Sequence, residues 1–209
     1  MNIVFVVIVF APKNDPECLQ TGKYIKYLLP LVNNLDAVTS ADPTLFMPVD
    51  PHAEDFHDNI RQKIEVRVPE NKYFTWVCNN LQIGRYQKPD PKHRFIDSFK
   101  KVLSELHEIP DLVYSRSMPL SSTLLAEKLV DELRAPWVLH LSDPWVPSFL
   151  YHREDVLSFH QVVERRCFAK ARYITLTTED LVAHYRDFYP EFQDKFCYFP
   201  NCYDPDDDL

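Results

Sequence analysis

Residues 3–10 read IVFVVIVF, eight consecutive apolar side chains. A strand with one face in water alternates apolar and polar positions, so a run with no polar position needs cover on both faces. Such a strand belongs inside a mainly parallel sheet with helices on either side, and here it is expected to be the first, central strand. A buried strand explains the run better than a signal sequence or membrane span does. It is too short to cross a bilayer, no basic segment precedes it, and no small-residue cleavage site follows it.

The same architecture follows from the rhythm of the second half. PDLVYS (110–115) reads as a strand, PLSSTLLAEKLVDEL (119–133) as a helix with Pro119 in its first turn, and PWVLHLSD (136–143) as a strand. Residues 155–171 read as a helix, RYITL (172–176) as a strand, TTEDLVAHYRDF (177–188) as a helix capped by Thr177 or Thr178, and FCYF (196–199) as a last strand. Strands alternating with helices call for a doubly wound, mainly parallel Rossmann-like sheet with helices on both faces. Towards the N-terminus, a helix over 19–35 disturbed at Pro30 and a helical stripe over 94–107 are expected. Between them, short apolar pieces at 44–49, 64–68 and 73–77 suggest two or three strands in an irregular, inserted region spanning about 48–93.

In such sheets ligands bind beyond the carboxyl ends of the strands. That points to residues 11–22, 115–118, 140–145, 177–180 and 200–204. Composition limits the chemistry available there. The chain holds only two glycines, Gly22 and Gly84, so FAPKNDPECLQTG after the first strand lacks the GxGxxG of a dinucleotide-binding oxidoreductase. A net charge of −8 without a basic stripe speaks against a nucleic-acid binder. The five cysteines, at 18, 78, 167, 197 and 202, show no zinc-ligand spacing and fit a reducing cytosol. HAEDFHD (52–58) offers His52, Glu54, Asp55, His57 and Asp58, but in no helical ligand pattern; it reads as a solvated acidic loop, and no metal site is expected.

Four stretches, PDLVYSRSMPLSSTLLA, PWVLHLSDPW, VVERRCFAKARYITLTTEDL and YFPNCYDPDDD, occur in this order over residues 110–208. Together they resemble the N-terminal half of GT-B glycosyltransferases of the family 4 type. The resemblance implies two Rossmann-like domains facing across a cleft, the first holding the acceptor and the second the nucleotide-sugar donor. Residues 1–199 would be the acceptor-side domain and 200–209 the start of the linker, with Asn201 and Asp204 at the interdomain hinge and the donor-binding domain absent. Cys202 stands where the family has a glycine. The family retains anomeric configuration and works without a protein-bound metal. No cofactor is therefore expected beyond the nucleotide sugar as substrate, with a glycan or lipid-linked acceptor as its partner.

Each candidate residue has a functional and a structural reading. His140 and Asp143 end a strand and can orient an acceptor hydroxyl or stabilise developing charge; alternatively His140 is a core histidine and Asp143 caps the turn before Pro144. Arg116, with Ser115 and Trp145, can hold an acceptor through its planar donor fork, or be a surface ion pair. Thr21, Gly22 and Lys23 can meet a donor pyrophosphate if they open a helix, or simply form a turn. Glu164 beside Arg165 and Arg166 reads as a salt bridge on a helix. Tyr73, Phe74, Trp76 and Tyr86 line a sugar-binding or interdomain surface, or the core.

Two functional classes follow. One is the acceptor-side domain of a cytosolic glycosyltransferase, inactive when isolated; the other is a non-catalytic acceptor-binding or scaffold subunit that pairs with a separate donor-binding chain. Peripheral contact with the cytosolic membrane face stays open in both, since no basic amphipathic helix stands out.

Overall fold

A computed structural model describes residues 1–41, 60–68, 72–81, 88–117, 119–146 and 154–205. Within them the order is β1 (Asn2–Val6), α1 (Pro16–Leu28), β2 (Asn34–Ser40), β3 (Gln62–Val66), α2 (Lys72–Asn80), α3 (Phe99–Glu105), β4 (Leu112–Ser117), α4 (Leu120–Leu133), β5 (Trp137–Leu141), α5 (Glu154–Lys170), β6 (Tyr173–Leu176), α6 (Glu179–Phe188) and β7 (Phe196–Tyr198). The seven strands form one sheet in the order β3-β2-β1-β4-β5-β6-β7. Every neighbouring pair is parallel. The doubly wound α/β architecture expected from the alternation is therefore present.

The apolar run at the N-terminus has its physical reason in two cores. Val4 and Val6 point to one face, where α3 to α6 pack with Leu125, Leu129, Phe168, Val182 and Tyr185. Ile3 and Phe5 point to the other, beneath α1 and its Ile25. Successive side chains of a strand alternate sides, so β1 needs apolar residues at both parities. Among the described residues no helix is long and apolar enough to cross a membrane.

Three expectations are corrected. First, the helix expected over 19–35 starts earlier and ends at Leu28, because Pro30 falls in a 3₁₀ turn (Leu29–Leu31) and the chain then enters β2. Second, 73–77 is part of helix α2 rather than a strand. Its aromatic and β-branched residues suit a pleated sheet, but Tyr73 and Trp76 share an exposed helical face instead. Third, β1 closes at Val6, and residues 7–11 continue as a buried loop. The stripe at 94–107 begins as a 3₁₀ turn (His93–Ser98) before α3. The expected strand at 44–49 lies outside the described residues.

Glycine scarcity leaves one visible mark. Helix α4 closes on Arg134 at φ 55° and ψ 29°, the left-handed position that glycine usually fills. No other described non-glycine residue has positive φ, so Cys202 makes its turn without the left-handed conformation a glycine would permit.

Candidate functional site

The strand order fixes where a crevice opens. From β1 the chain crosses through α1 to β2 on one side, whereas β4 lies on the other, so the connections diverge between the carboxyl ends of β1 and β4. The loop after β1 is pinned there. Ile8 N–H donates to Ser122 Oγ at 3.0 Å, and Lys13 Nζ donates to Ile8 O at 3.2 Å and Ser40 O at 2.6 Å. Asp15 then caps α1 by accepting from Glu17 N–H at 2.8 Å, with Pro16 in the first turn. Helix α1 thus opens at Pro16. Gly22 and Lys23 lie within it, so the amides at its N-terminus belong to neither, and an acidic cap already occupies that end.

Arg116 fills the crevice from β4. Its side chain is 2% exposed, its Nε pairs with Glu17 in the first turn of α1, and its Nη2 donates to Asn201 Oδ1 at 3.2 Å. The guanidinium also lies over the Tyr24 ring, 5.0 Å from the centroid. Arg116 therefore ties β4, α1 and the segment after β7 together. Ser115 beside it is buried and accepts from Trp137 Nε1 at 2.9 Å.

His140 lies beneath the same cluster on β5. Its Nδ1 meets Thr175 Oγ1 at 2.9 Å, and its ring stacks with Tyr114 at 6.2 Å and meets Tyr24 edge-on at 5.9 Å. Burial, with Arg116 nearby, pushes its pKa down to about 3, so the imidazole is neutral. His140 Nε2, the Tyr114 hydroxyl and Arg116 Nη1 are buried without a hydrogen-bond partner among the described residues.

Beyond β5, Ser142 Oγ donates to Ser117 O at 3.0 Å and Thr177 Oγ1 donates to Ser142 O at 3.2 Å, lacing the strand ends together. Asp143 is exposed, with no hydrogen bond among the described residues. Trp145 is buried. Its backbone N–H donates to Tyr185 Oη at 2.7 Å and its indole N–H to His160 Nδ1 at 2.9 Å. Glu164 is not the helix-surface ion pair expected from the sequence. Arg165 pairs with Glu191 and Arg166 with Glu127, while Glu164 accepts from the Tyr185 and Tyr189 hydroxyls inside the core.

Residues 200–204 lie against one face of α1, where Gln20, Tyr24 and Tyr27 follow at helical spacing. Gln20 Oε1 accepts from Cys202 N–H at 2.8 Å, and the Tyr24 hydroxyl donates to Pro200 O at 2.9 Å. Asp204, 1% exposed, accepts from Tyr27 Oη at 2.9 Å and pairs with Lys26 Nζ at 2.8 Å. Bending at Asn201 or Asp204 requires breaking these bonds. Asp204→Ala is expected to lower stability by about 1–2 kcal/mol, since it removes two hydrogen bonds to a charged acceptor. Amide exchange at 201–204 should rise at least tenfold, with the rates in β4 and β5 unchanged.

The expected residues therefore separate by depth. Arg116, His140, Ser115, Trp145 and Asp204 are buried, whereas Asp143 and Asn201 reach the surface. The sequence reasoning missed Glu17 and Tyr24. The order Asp15-Pro16-Glu17, a cap followed by proline and an acid, is the signal that would have placed Glu17 in a first helical turn. Tyr73 and Trp76 are 83% and 65% exposed on α2. The side chains of Phe74 and Tyr86, and the loop 52–58, lie outside the described residues, among which no metal-binding group of three or more ligands occurs.

No family model matches the sequence, and no curated protein matches it. Solved structures do. Anabaena HepE in complex with UDP and glucose shares 15% identity at a TM-score of 0.56, over 98% of this chain and 45% of that one. The same protein in complex with UDP-glucose gives 14% identity and 0.57 over 98% and 44%. TcCGT1 in complex with UDP gives 10% identity and 0.54 over 95% and 50%. The chain thus spans about half the length of each, and the likeness is one of fold: the parallel sheet has the form found in GT-B glycosyltransferases.

Proposed function

We propose that this chain is the acceptor-side half of a GT-B glycosyltransferase of the family 4 type. In this reading the enzyme moves a sugar from a nucleotide-activated donor to a hydroxyl of a glycan or lipid-linked acceptor at the cytosolic face of a membrane. The observation that carries the reading is the match of 98% of this chain to about half of a protein solved with UDP and glucose. A donor-binding half, supplied by polypeptide outside these residues, completes the cleft.

The depths of the side chains assign the tasks. Asp143, exposed at the carboxyl end of β5, accepts a hydrogen bond from the acceptor hydroxyl and aligns its oxygen with the anomeric carbon of the donor. As the new glycosidic bond forms, the acceptor hydroxyl gives its proton to the Asp143 carboxylate, the bond from the sugar to the nucleotide phosphate breaks, and the nucleoside diphosphate departs. His140, neutral and buried, holds β5 against β6 rather than exchanging a proton. Arg116 positions Glu17 and Asn201 at the rim, and residues 200–204 travel with this half. Lys23, further along α1, is read as lying in proximity to the donor phosphates. No cofactor or protein-bound metal enters the scheme.

The test is Asp143→Asn in the two-domain enzyme. Transfer should fall by roughly 10²–10⁴-fold, the usual scale for a positioned acid-base group. The melting temperature should not change, because the carboxylate makes no hydrogen bond among the described residues. Full transfer by the variant would remove Asp143 from the mechanism. Transfer by the 209-residue chain alone would refute the need for a second half.

A further inference from the structure

Glu164 is wholly buried on α5 and, among the described residues, has no ion-pair partner. Its carboxyl instead collects three donors. The Tyr185 hydroxyl reaches Oε1 at 3.0 Å, the Tyr189 hydroxyl reaches Oε2, and Val146 N–H approaches Oε1 at 3.4 Å. Tyr185 is also the acceptor for Trp145 N–H at 2.7 Å. Two consecutive amides of the loop that carries Asp143 thus end on Glu164, one directly and one through a tyrosine.

Proton bookkeeping couples this network to the charge on Glu164. As a carboxylate it accepts every bond, and each donor is used. Once protonated, its own O–H needs an acceptor. If Tyr185 turns to accept it while keeping Trp145 N–H, the tyrosine proton is left without a partner; if Tyr189 turns, Oε2 loses its donor. Either state breaks a bond in a dry core, where an unmade bond is costly. Other polar groups in this region are His160 on α5, which accepts from the Trp145 indole, Arg165 on α5, which pairs with Glu191, and Asp143, exposed on the loop itself. Tyr185 on α6, Tyr189 after it and Cys167 on α5 are further titratable groups there among the described residues, and burial pushes the pKa of all three upward. Burial likewise raises Glu164, to about 7 against an ordinary 4.5, so both of its states are populated near neutral pH.

We propose that Glu164 is a positioning residue for the β5 loop, and that its ionisation state sets where Trp145, and with it Asp143, stands at the mouth of the crevice. The loop's task rests on the acceptor-side reading, whereas its coupling to Glu164 does not. The test therefore uses no substrate. In ¹H–¹⁵N spectra of the whole chain between pH 5.5 and 8.5, the backbone and indole N–H signals of Trp145, assigned with Trp145→Phe, should move with a midpoint near 7. Glu164→Gln should abolish the transition while the rest of the spectrum stays dispersed. Tyr189→Phe, which removes one donor to the carboxylate and leaves both loop amides bonded, should raise the midpoint; it also serves if Glu164→Gln does not fold. Trp145 signals that stay fixed across the range, or an unchanged transition in Glu164→Gln, overturn the proposal. A Trp145 transition as described, in an enzyme whose transfer ignores Asp143, would remove Asp143 from the mechanism and leave the coupling intact.

Discussion

Arg116→Ala should lower the stability of the chain by about 3 kcal/mol, at the lower end of what breaking a buried ion pair costs. The arginine side chain is 2% exposed, and its fork connects three parts of the chain that are distant in sequence. Its loss leaves Glu17, 22% exposed, without its cation, takes a donor from Asn201, and uncovers the Tyr24 ring. At roughly 2–4 °C per kcal/mol for a protein of this size, the melting temperature should drop by about 6–12 °C. Arg116→Lys should recover little of the loss, because a single ammonium cannot reach Glu17 and Asn201 in the geometry of a planar fork. Removing the cation also lifts one of the two causes that hold His140 low, so its protonation should move upward. Thermal unfolding of the two variants settles the matter. Substitution at no cost would mean that Arg116 is a free ligand-binding side chain after all.

The second large effect appears only when two buried groups are separated. His140 falls to about 3 in the folded chain from an ordinary 6.5. Below pH 6.5 the unfolded chain takes up a proton there that the folded chain refuses, so stability is lost as pH falls through this window. Glu164 rises to about 7 from an ordinary 4.5. Between these values the folded chain keeps a proton that the unfolded chain releases, so stability is lost as pH rises. From pH 4.5 to 6.5 both slopes are about 1.4 kcal/mol per pH unit and opposite in sign, and they cancel. Removing either group unmasks the other. Glu164→Gln should gain about 3 kcal/mol of stability relative to wild type as pH rises across that window, and His140→Gln should lose about as much. Urea unfolding at pH 4.5 and 6.5 measures both. Two variants that parallel the wild type would show that neither group titrates as its burial dictates.

How much of this was legible depended on whether a residue's partner was near it in sequence. The apolar run at 3–10 placed the central strand, because apolar side chains at both parities admit one environment. The alternation after residue 110 gave every later element to within about two residues. β2 was lost because Asn34–Ser40 carries Asp36, Thr39 and Ser40, which no apolar pattern reveals. Asp36 is tolerated in a buried strand since Arg61 meets it at 2.9 and 2.5 Å from across the sheet. Helix α2 was misread because aromatic and β-branched residues favour strands locally, while its exposed face reflects tertiary placement.

The site followed the same division. The rule of the carboxyl ends reached Arg116, His140, Asp143 and Asn201 from strand positions alone. Their depths could not be read, because Arg116 is buried by Glu17 and Tyr24, about a hundred residues earlier in the chain. The turn at 200–204 looked free to bend for the same reason: what pins it is a stripe on α1.

The central claim is that the carboxyl-end crevice of this chain receives a sugar acceptor, with the nucleotide sugar held mainly elsewhere. It is tested most directly by titrating the ¹⁵N-labelled chain with a panel of oligosaccharides and lipid-linked sugars, and separately with UDP-glucose. An acceptor from the panel should shift the amides of Asn14, Asp15, Glu17, Ser142, Asp143, Trp145, Val146 and Asn201 at millimolar concentration or below, while UDP-glucose alone binds weakly and is not consumed. Shifts confined to the opposite end of the sheet, or tight binding and turnover of UDP-glucose by this chain alone, would contradict the claim.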